Sequence, residues 1–415
     1  MSCGRGGQDD HYPSPRVFLC CSRTFNSRGG NFPLNASGGG LFLSCGEISG
    51  DIYAAGIVRA LRSLGYDGPV SGMGGPRASE AGTEIFRDFR ELHLMGISDV
   101  LPAIPRLLRL RKELVERVFE IRPEALLVID SPDFHLPFVS SLRKKGWKGP
   151  VIYAVTPTVW AWRPGRVKKL ARDVDLCLPL FSFEHEFLLR SGVASAWSGH
   201  PLTDEFASFI PRKEEPGRIA LLPGSRRSEI TRLLPPLLEC ARLLRERGFH
   251  PVFSIAPGLS PELRSWMVHA LKDEDVWEED GRSLLSSSIA AAGASGTASV
   301  EAMMLGRYMA VLYRGSFLSW LAWKTLVNTR FISIPNIIAG EEVYPEFIQE
   351  RATGLNAFHA LERFLRGGEY ACHVRRSLAL AKEAMGTTGA FRFWAGRIEE
   401  YLSAGETSRK RMVRS

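Results

Sequence analysis

Two carboxylates, one arginine and two glycine-bearing turns carry most of the chemistry legible in the chain. Asp130 follows the apolar run Ala125-Leu126-Leu127-Val128-Ile129 and opens Asp130-Ser131-Pro132-Asp133-Phe134. A carboxylate at the carboxyl end of a buried strand lies where open α/β sheets bind ligands, and it can accept a proton or hold hydroxyls. The competing role is an Asx turn, for which Ser-Pro-Asp is good chemistry. The balance favours function for Asp130 and structure for Asp133. Glu47 takes the matching place after Leu41-Phe42-Leu43-Ser44-Cys45, in Gly46-Glu47-Ile48-Ser49-Gly50-Asp51. Its alternative is a turn carboxylate in solvent.

The second half offers anion chemistry. Arg218-Ile219-Ala220-Leu221-Leu222 reads as a buried strand, and Ile230, Leu233, Leu234, Leu237 and Leu238 recur at helical spacing after it. Between them, Gly224 lets a ligand approach the backbone, and Ser225 is expected to cap the helix. Glu229 in the first turn suits the positive end of the helix dipole. Free amides there, with the guanidinium of Arg226, would cradle a diphosphate. An ordinary capped helix with solvated arginines is the alternative. Ser295-Gly296-Thr297 is a second small-residue turn opening a helix, and Glu301 beyond it could take both ribose hydroxyls or simply face water. Two such turns in one half support a nucleotide more than either does alone.

Other residues are open to two roles. Trp160 and Arg163, in the proline-bounded loop Thr156–Arg166, could clamp a sugar or phosphate, or the Trp could be core. His200, in Gly199-His200-Pro201-Leu202, is either an acid–base group or a hinge residue. Asn336, in the apolar loop Ile334–Glu341, either satisfies backbone groups or contacts ligand. Gly72-Met73-Gly74-Gly75-Pro76-Arg77 is another glycine turn after a short strand.

The elements that must position these groups alternate strand and helix through both halves. That predicts an α/β protein with two Rossmann-like domains and a cleft between them. The expected layout is a disordered extension over 1–40, an N-terminal domain over 41–205 and a linker over 206–217. A C-terminal domain over 218–375 follows, then helix over 376–403 that could return to the first domain, and a basic tail over 404–415. Residues 374–403 read as helix.

Composition limits the function. The chain has 415 residues, 45% hydrophobic and 24% charged, which is ordinary for a soluble globular protein. No apolar run reaches the roughly 20 residues that cross a bilayer. Of the formal charge of +8, residues 1–40 hold four Arg against two Asp, and residues 405–415 hold four basic residues against one Glu. The body is thus only mildly basic. A phosphate-bearing substrate or anionic lipid accounts for the charge, and no nucleic-acid groove is required. The seven cysteines are scattered and lack metal-type spacing, which suits a reducing compartment; no metal-ligand cluster is visible. Basic residues beside apolar ones in Ile104–Val118 and in Phe317–Phe331 would suit a membrane surface or acyl chain, the commoner alternative being core helices.

Taken in order, the motifs Gly46–Asp51, Gly74–Arg77, Met95–Ser98, Ile129–Phe134, Val159–Arg163, Gly199–Leu202, Leu222–Arg226, Ala294–Ala298 and Pro335–Gly340 closely resemble those of the lipid-A-disaccharide synthases. These are bacterial glycosyltransferases of GT-B type, and the likeness runs from about Leu41 to Glu400. The resemblance implies transfer from UDP-2,3-diacylglucosamine to 2,3-diacylglucosamine 1-phosphate, with a β-1,6 linkage formed, anomeric inversion and UDP released. It implies no cofactor and no metal. Asp130 matches the family's proposed base, and Glu47 and Asn336 match other residues tied to activity. Gly224, Ser225 and Arg226 match the UDP-contacting turn, with Ser295, Gly296, Thr297 and Glu301 on the other side of that site. Trp160, Arg163 and Met95 are the acceptor-side candidates. The resemblance also implies peripheral attachment to the cytoplasmic face of the inner membrane; a homodimer is left open. Cys45, Ile48, Thr156, Thr158 and Ser182 depart from the family pattern, touching acceptor or acyl-chain preference more than the reaction. Two rivals stand beside this reading. One is another UDP-sugar GT-B enzyme, such as an epimerase, which needs no acyl-binding surface. The other is a non-catalytic UDP-lipid carrier, in which Asp130 would be dispensable.

Overall fold

Apolar runs without polar alternation need cover on both faces, which a parallel sheet between helix layers provides. The computed structural model describes residues 39–92, 100–160, 163–315 and 329–403, and it places these runs in two six-stranded sheets. The first contains β1 (Leu41–Cys45), β2 (Val70–Gly74), β3 (Glu84–Asp88), β4 (Ala125–Ile129), β5 (Val151–Ala154) and β6 (Leu176–Leu178), in the order β3-β2-β1-β4-β5-β6. The second contains β7 (Arg218–Leu222), β8 (His250–Ser254), β9 (Val276–Trp277), β10 (Ala290–Ala294), β11 (Tyr308–Tyr313) and β12 (Glu346–Ile348), in the order β12-β11-β10-β7-β8-β9. All pairings are parallel. Counted from its own first strand, each sheet has the doubly wound Rossmann order.

The expected α/β class therefore stands. The extension up to residue 38, the basic tail, Met95 and most of Phe317–Phe331 lie outside the described residues.

Register explains the cores. β1 pairs with β4 from Leu41↔Ala125 to Cys45↔Ile129, and every residue of both strands is buried. The pleat sends Leu41, Leu43, Leu127 and Ile129 to one face and Phe42, Leu126 and Val128 to the other. Leu110, Leu114, Val115 and Val118 of the helix Val100–Ile121 cover the second face. The first is covered by the helix Ile48–Ser63 and, from the far end of the chain, by Trp394, Ala395, Ile398 and Tyr401 of the helix Ala390–Ser403. Trp394 is fully buried, with Tyr53 and Phe391 packed on its ring.

The chain thus crosses between the halves twice, and the two crossings are bonded together. The His200 N–H donates to the Met385 carbonyl at 2.8 Å, and the Thr203 hydroxyl donates to Thr387 O at 3.1 Å. The Asp204 carboxylate accepts from the Gly389 and Phe391 amides. The stretch 374–403, read as helix, is helical on both sides of a short interruption. One helix ends at Glu383 and the next begins at Ala390, with Gly386 and Gly389 at positive φ between them. Positive φ is open to glycine and interrupts a right-handed helix.

Because a terminal helix completes the first core, Trp394→Ala should cost about 3–5 kcal/mol. Urea unfolding followed by fluorescence should show the midpoint fall with the slope unchanged.

Candidate active site

Each sheet has its switch point between its first and fourth strands, β1/β4 and β7/β10, where the connections leave in opposite directions and the loops part to form a crevice. The four candidate turns follow these four strands.

In the N-terminal half, Gly46 and Glu47 follow β1, and Asp130 and Ser131 follow β4. A Cβ on Gly46 would lie 2.0 Å from the Ser131 hydroxyl oxygen, so only glycine lets the turns meet. Asp130 and Ser131 both have left-handed backbones, at φ 57° and 46°. Two consecutive non-glycine residues in that region cost conformational energy and cluster at functional sites. Buried hydrogen bonds hold them. The Asp130 carbonyl accepts from the Tyr153 hydroxyl at 2.7 Å and from His135 Nδ1 at 2.7 Å. His135 Nε2 in turn accepts from the Ser44 hydroxyl at 2.9 Å. A carbonyl only accepts, so the proton sits on Nδ1. Burial pushes the His135 pKa down to about 4, which keeps the ring neutral. Sequence reasoning passed over His135 and Tyr153. A histidine three residues past Ser-Pro had no periodic or motif signal, and Tyr153 read only as strand.

With its backbone held, the half-buried Asp130 carboxyl is pushed up to about 6, chiefly by burial and then by the negative charge of Glu47. The Ser131 N–H and the Arg226 charge oppose the shift. A carboxylate poised there is ionised at neutral pH and still basic enough to accept a proton as a nucleophile attacks.

In the C-terminal half, the two turns are neighbours because β7 and β10 pair. Gly224 has φ 109°, and a Cβ there would meet Glu229 Oε2 at 2.7 Å. Ser225 is exposed, but it does not cap the helix as expected. The helix begins at Arg227 with Arg226 at the cap position and no side-chain cap hydrogen bond. Its leading amides are therefore not taken by a side-chain cap. The helix Thr297–Met304 likewise starts from Gly296 without a side-chain cap, and Gly296 and Thr297 are exposed. Two adjacent helix N-termini with uncapped amides make an anion-binding surface. Glu301 is more constrained than expected. Its Oε1 accepts from Arg282 Nη2 at 3.0 Å and Nε at 3.2 Å, and burial raises its pKa.

Arg226 links the halves, with its guanidinium 4.0 Å from Glu47 and 3.6 Å from Glu229. The structure thus brings together Glu47, Asp130, Arg226 and the two anion turns.

The other candidates lie differently. Asn336 is fully buried. Its amide nitrogen donates to Tyr344 O at 2.7 Å and Glu346 Oε1 at 2.8 Å, and its oxygen accepts from the Tyr344 N–H at 2.8 Å. Of its two readings, the structure shows satisfaction of buried polar groups. Trp160 Nε1 donates to Glu184 at 2.9 Å and its ring meets Phe183 edge-on. Arg163 pairs with Asp133 at 3.0 Å, as does Arg166, which ties the Trp-Arg loop to the helix Pro132–Lys144. His200 is a hinge group: it is buried, its Nδ1 accepts from the Leu202 N–H at 3.0 Å, and burial lowers its pKa to about 3. Among the described residues no cluster of three or more His, Cys, Asp or Glu could hold a metal, and no helix is long and apolar enough to cross a membrane.

Comparison with known proteins gives a consistent result. The model of the family described as lipid-A-disaccharide synthetase matches residues 41–384. The lipid-A-disaccharide synthase of Solibacter usitatus is 35% identical over 380 residues, covering 88% of this chain and 98% of the relative. That of Geobacter sulfurreducens is 35% identical over 374 residues, covering 87% and 97%. Among solved structures, a UDP-N-acetylglucosamine 2-epimerase described as putative, from Listeria monocytogenes, superposes with TM-score 0.61 at 14% identity, covering 89% of this chain and 98% of that one. A calicheamicin glycosyltransferase superposes with TM-score 0.56 at 14% identity, covering 88% and 98%. These structural likenesses establish the GT-B fold and nothing finer.

The arrangement predicts that the Asp130 carboxyl titrates near pH 6. Glu47→Gln removes a raising charge and should lower the midpoint, whereas Arg226→Ala should raise it. Carbon-13 NMR of aspartate-labelled protein, with Asp130→Asn as the assignment control, measures all three.

Proposed function

The chain belongs to the lipid-A-disaccharide synthase family, and from that membership we propose how its cleft performs the transfer. The enzyme is a glycosyltransferase of lipid A biosynthesis: it joins UDP-2,3-diacylglucosamine to 2,3-diacylglucosamine 1-phosphate, giving the β-1,6-linked disaccharide 1-phosphate and UDP. The observation that carries the site assignment is the convergence of Asp130, Glu47 and Arg226 at the facing switch points of the two sheets.

In the proposed mechanism the UDP diphosphate rests on the turns Gly224–Arg226 and Ser295–Thr297. Exposed amides of two helix N-termini and the Arg226 guanidinium meet its charge. Glu301 receives the ribose hydroxyls. The acceptor 6-hydroxyl lies against Asp130, which takes its proton as the oxygen attacks the anomeric carbon from the face opposite the leaving UDP. One in-line displacement inverts the α-linked donor to a β-linked product. Negative charge grows on the departing diphosphate as the bond breaks, and the same amides and Arg226 stabilise it there. Glu47 keeps the Asp130 pKa raised and pairs with Arg226 until the diphosphate takes that cation. Asn336 and His135 are positioning residues, the first through Glu346 and the Tyr344 backbone, the second through the Asp130 carbonyl. Catalysis without a divalent ion is part of this proposal.

Peripheral attachment to the inner face of the inner membrane fits one surface. Ile104 and Leu108 of the helix Val100–Ile121 are 41% and 48% exposed, beside exposed Arg106 and Arg109. Apolar residues flanked by arginines suit the headgroup region of an anionic bilayer.

UDP release by purified enzyme given both substrates in EDTA should depend on the acceptor. Asp130→Ala should lower the transfer rate by about 10²–10⁴-fold while UDP affinity stays within twofold; transfer at near wild-type rate would remove Asp130 as the base. Arg226→Ala should weaken UDP binding by about tenfold in calorimetry, the scale of one lost charge-assisted contact. Flotation with phosphatidylglycerol vesicles should recover wild-type protein and lose Ile104→Glu/Leu108→Glu, with little recovery of either on phosphatidylcholine.

A further inference from the structure

Beside the hinge the halves line an open cavity of about 570 Å³. Its N-terminal wall includes Arg59, on the helix Ile48–Ser63, and Arg77, which follows β2. Its C-terminal wall includes Asp280, Arg282 and Glu301, with Glu205 from the linker side. The charged groups on the C-terminal wall all have partners, one guanidinium serving two of its three carboxylates. Arg282 Nη2 reaches Glu205 at 2.7 Å and Glu301 at 3.0 Å, and its guanidinium lies 4.6 Å from the Phe206 ring centre. Asp280 accepts from the Ser283 amide at 2.9 Å and its hydroxyl at 2.7 Å.

The arginines opposite are not matched. Among the described residues neither the Arg59 nor the Arg77 side chain makes an ion pair or hydrogen bond, and both are exposed. Yet the backbone that carries Arg77 is held firmly: the Gly75, Arg77 and Ala78 amides all donate to the buried Asp51 carboxylate, at 2.8, 3.0 and 3.1 Å. Asp51 is one helical turn beyond Glu47, and its own N–H donates to the Glu47 carbonyl at 3.0 Å. The Arg77 turn is therefore built onto the turn that bears Glu47. Two unpaired guanidiniums on one wall of an open cavity, one of them on a fixed backbone, can receive a compact anion.

We propose that Arg59 and Arg77 form a phosphate-monoester site that receives the 1-phosphate of the acceptor. The proposal rests on the transferase reading above. That reaction has two phosphate-bearing substrates. The donor's diphosphate is accounted for by Arg226 and the two helix N-termini of the C-terminal half. The acceptor's dianionic monoester then pairs with the free cations of the N-terminal half, the half that carries Asp130 and Glu47. A bidentate guanidinium also distinguishes a phosphorylated sugar from its dephosphorylated form, which leaves both arginines desolvated without a partner.

The test uses full-length enzyme, short-chain 2,3-diacylglucosamine 1-phosphate and the same sugar without phosphate. Calorimetry gives acceptor and UDP affinities for wild type, Arg59→Ala, Arg77→Ala and the double variant, and initial rates give the acceptor KM. The double variant should bind the phosphorylated acceptor at least tenfold more weakly, with UDP affinity within twofold. It should also bind the phosphorylated and unphosphorylated sugars alike, where wild type prefers the former. Arg77→Lys should restore part of the preference. Unchanged preference for the phosphorylated acceptor would overturn the proposal. So would a tenfold loss of UDP affinity with acceptor binding intact, which would give these arginines to the donor's diphosphate. Acceptor binding is read without turnover, so an absence of transfer in wild type would sink the transferase reading while leaving this result to be judged separately.

Discussion

The site depends on how the Asp130 peptide is held. A strand that ends in two left-handed non-glycine residues would relax in isolation. Here the carbonyl between them is fixed by two buried donors, the Tyr153 hydroxyl from the neighbouring strand and the neutral His135 ring from the following helix. Ser44 of β1 holds that ring from its other nitrogen. Two donors thus meet on one carbonyl oxygen, with Ser44 behind one of them, and the Asp130 side chain is aimed by its backbone, its carboxylate accepting from the adjacent Ser131 N–H. No side chain among the described residues is shown bonding that carboxylate, so it stays open to proton transfer. Gly46 completes the arrangement from the facing turn by leaving room for Ser131.

Electrostatics follow from this placement. Burial and Glu47 raise the Asp130 pKa, and Arg226, arriving from the other sheet, lowers it. The Glu47–Arg226 contact is long, at 4.0 Å, and lies in solvent. Such pairs are worth about 0–1 kcal/mol, so a diphosphate with several charged oxygens can displace Glu47 at little cost. The Arg282 network behaves differently. It is half-buried, paired to two carboxylates and covered by the Phe206 and Phe209 rings. It fixes Glu301 in one place while joining the linker helix Leu202–Ser208 to the C-terminal half.

Stability is shared between the halves in a way that keeps the cleft aligned. The N-terminal core is finished by the last helix of the chain. The chain must therefore cross the hinge twice, and the crossings are bonded at His200, Thr203 and Asp204. Two adjacent, mutually bonded crossings resist twisting more than a single linker does.

Much of this was legible in the chain alone. Uninterrupted apolar runs such as Ala125–Ile129 specified parallel strands covered on both faces, because only that setting tolerates no alternation. Glycine turns at strand ends specified where ligands could approach backbone, and motif order specified the family. What lay beyond the sequence was long-range and mutual. His135 and Tyr153 matter only through a carbonyl they reach in the folded chain. Ser225 had the residue type of a cap, but the cap position fell to Arg226. Asn336 could satisfy backbone groups or contact ligand, and its bonds to Tyr344 and Glu346 appear only in the folded chain. The break between Glu383 and Ala390 follows from the return crossing to the first domain. Residue type and spacing determine which local conformations and which chemistry are available. Only the tertiary structure decides which polar groups are already taken by partners and which, like Arg59 and Arg77, face a cavity with none, because a hydrogen bond depends on both of its ends and the second end is far away in sequence.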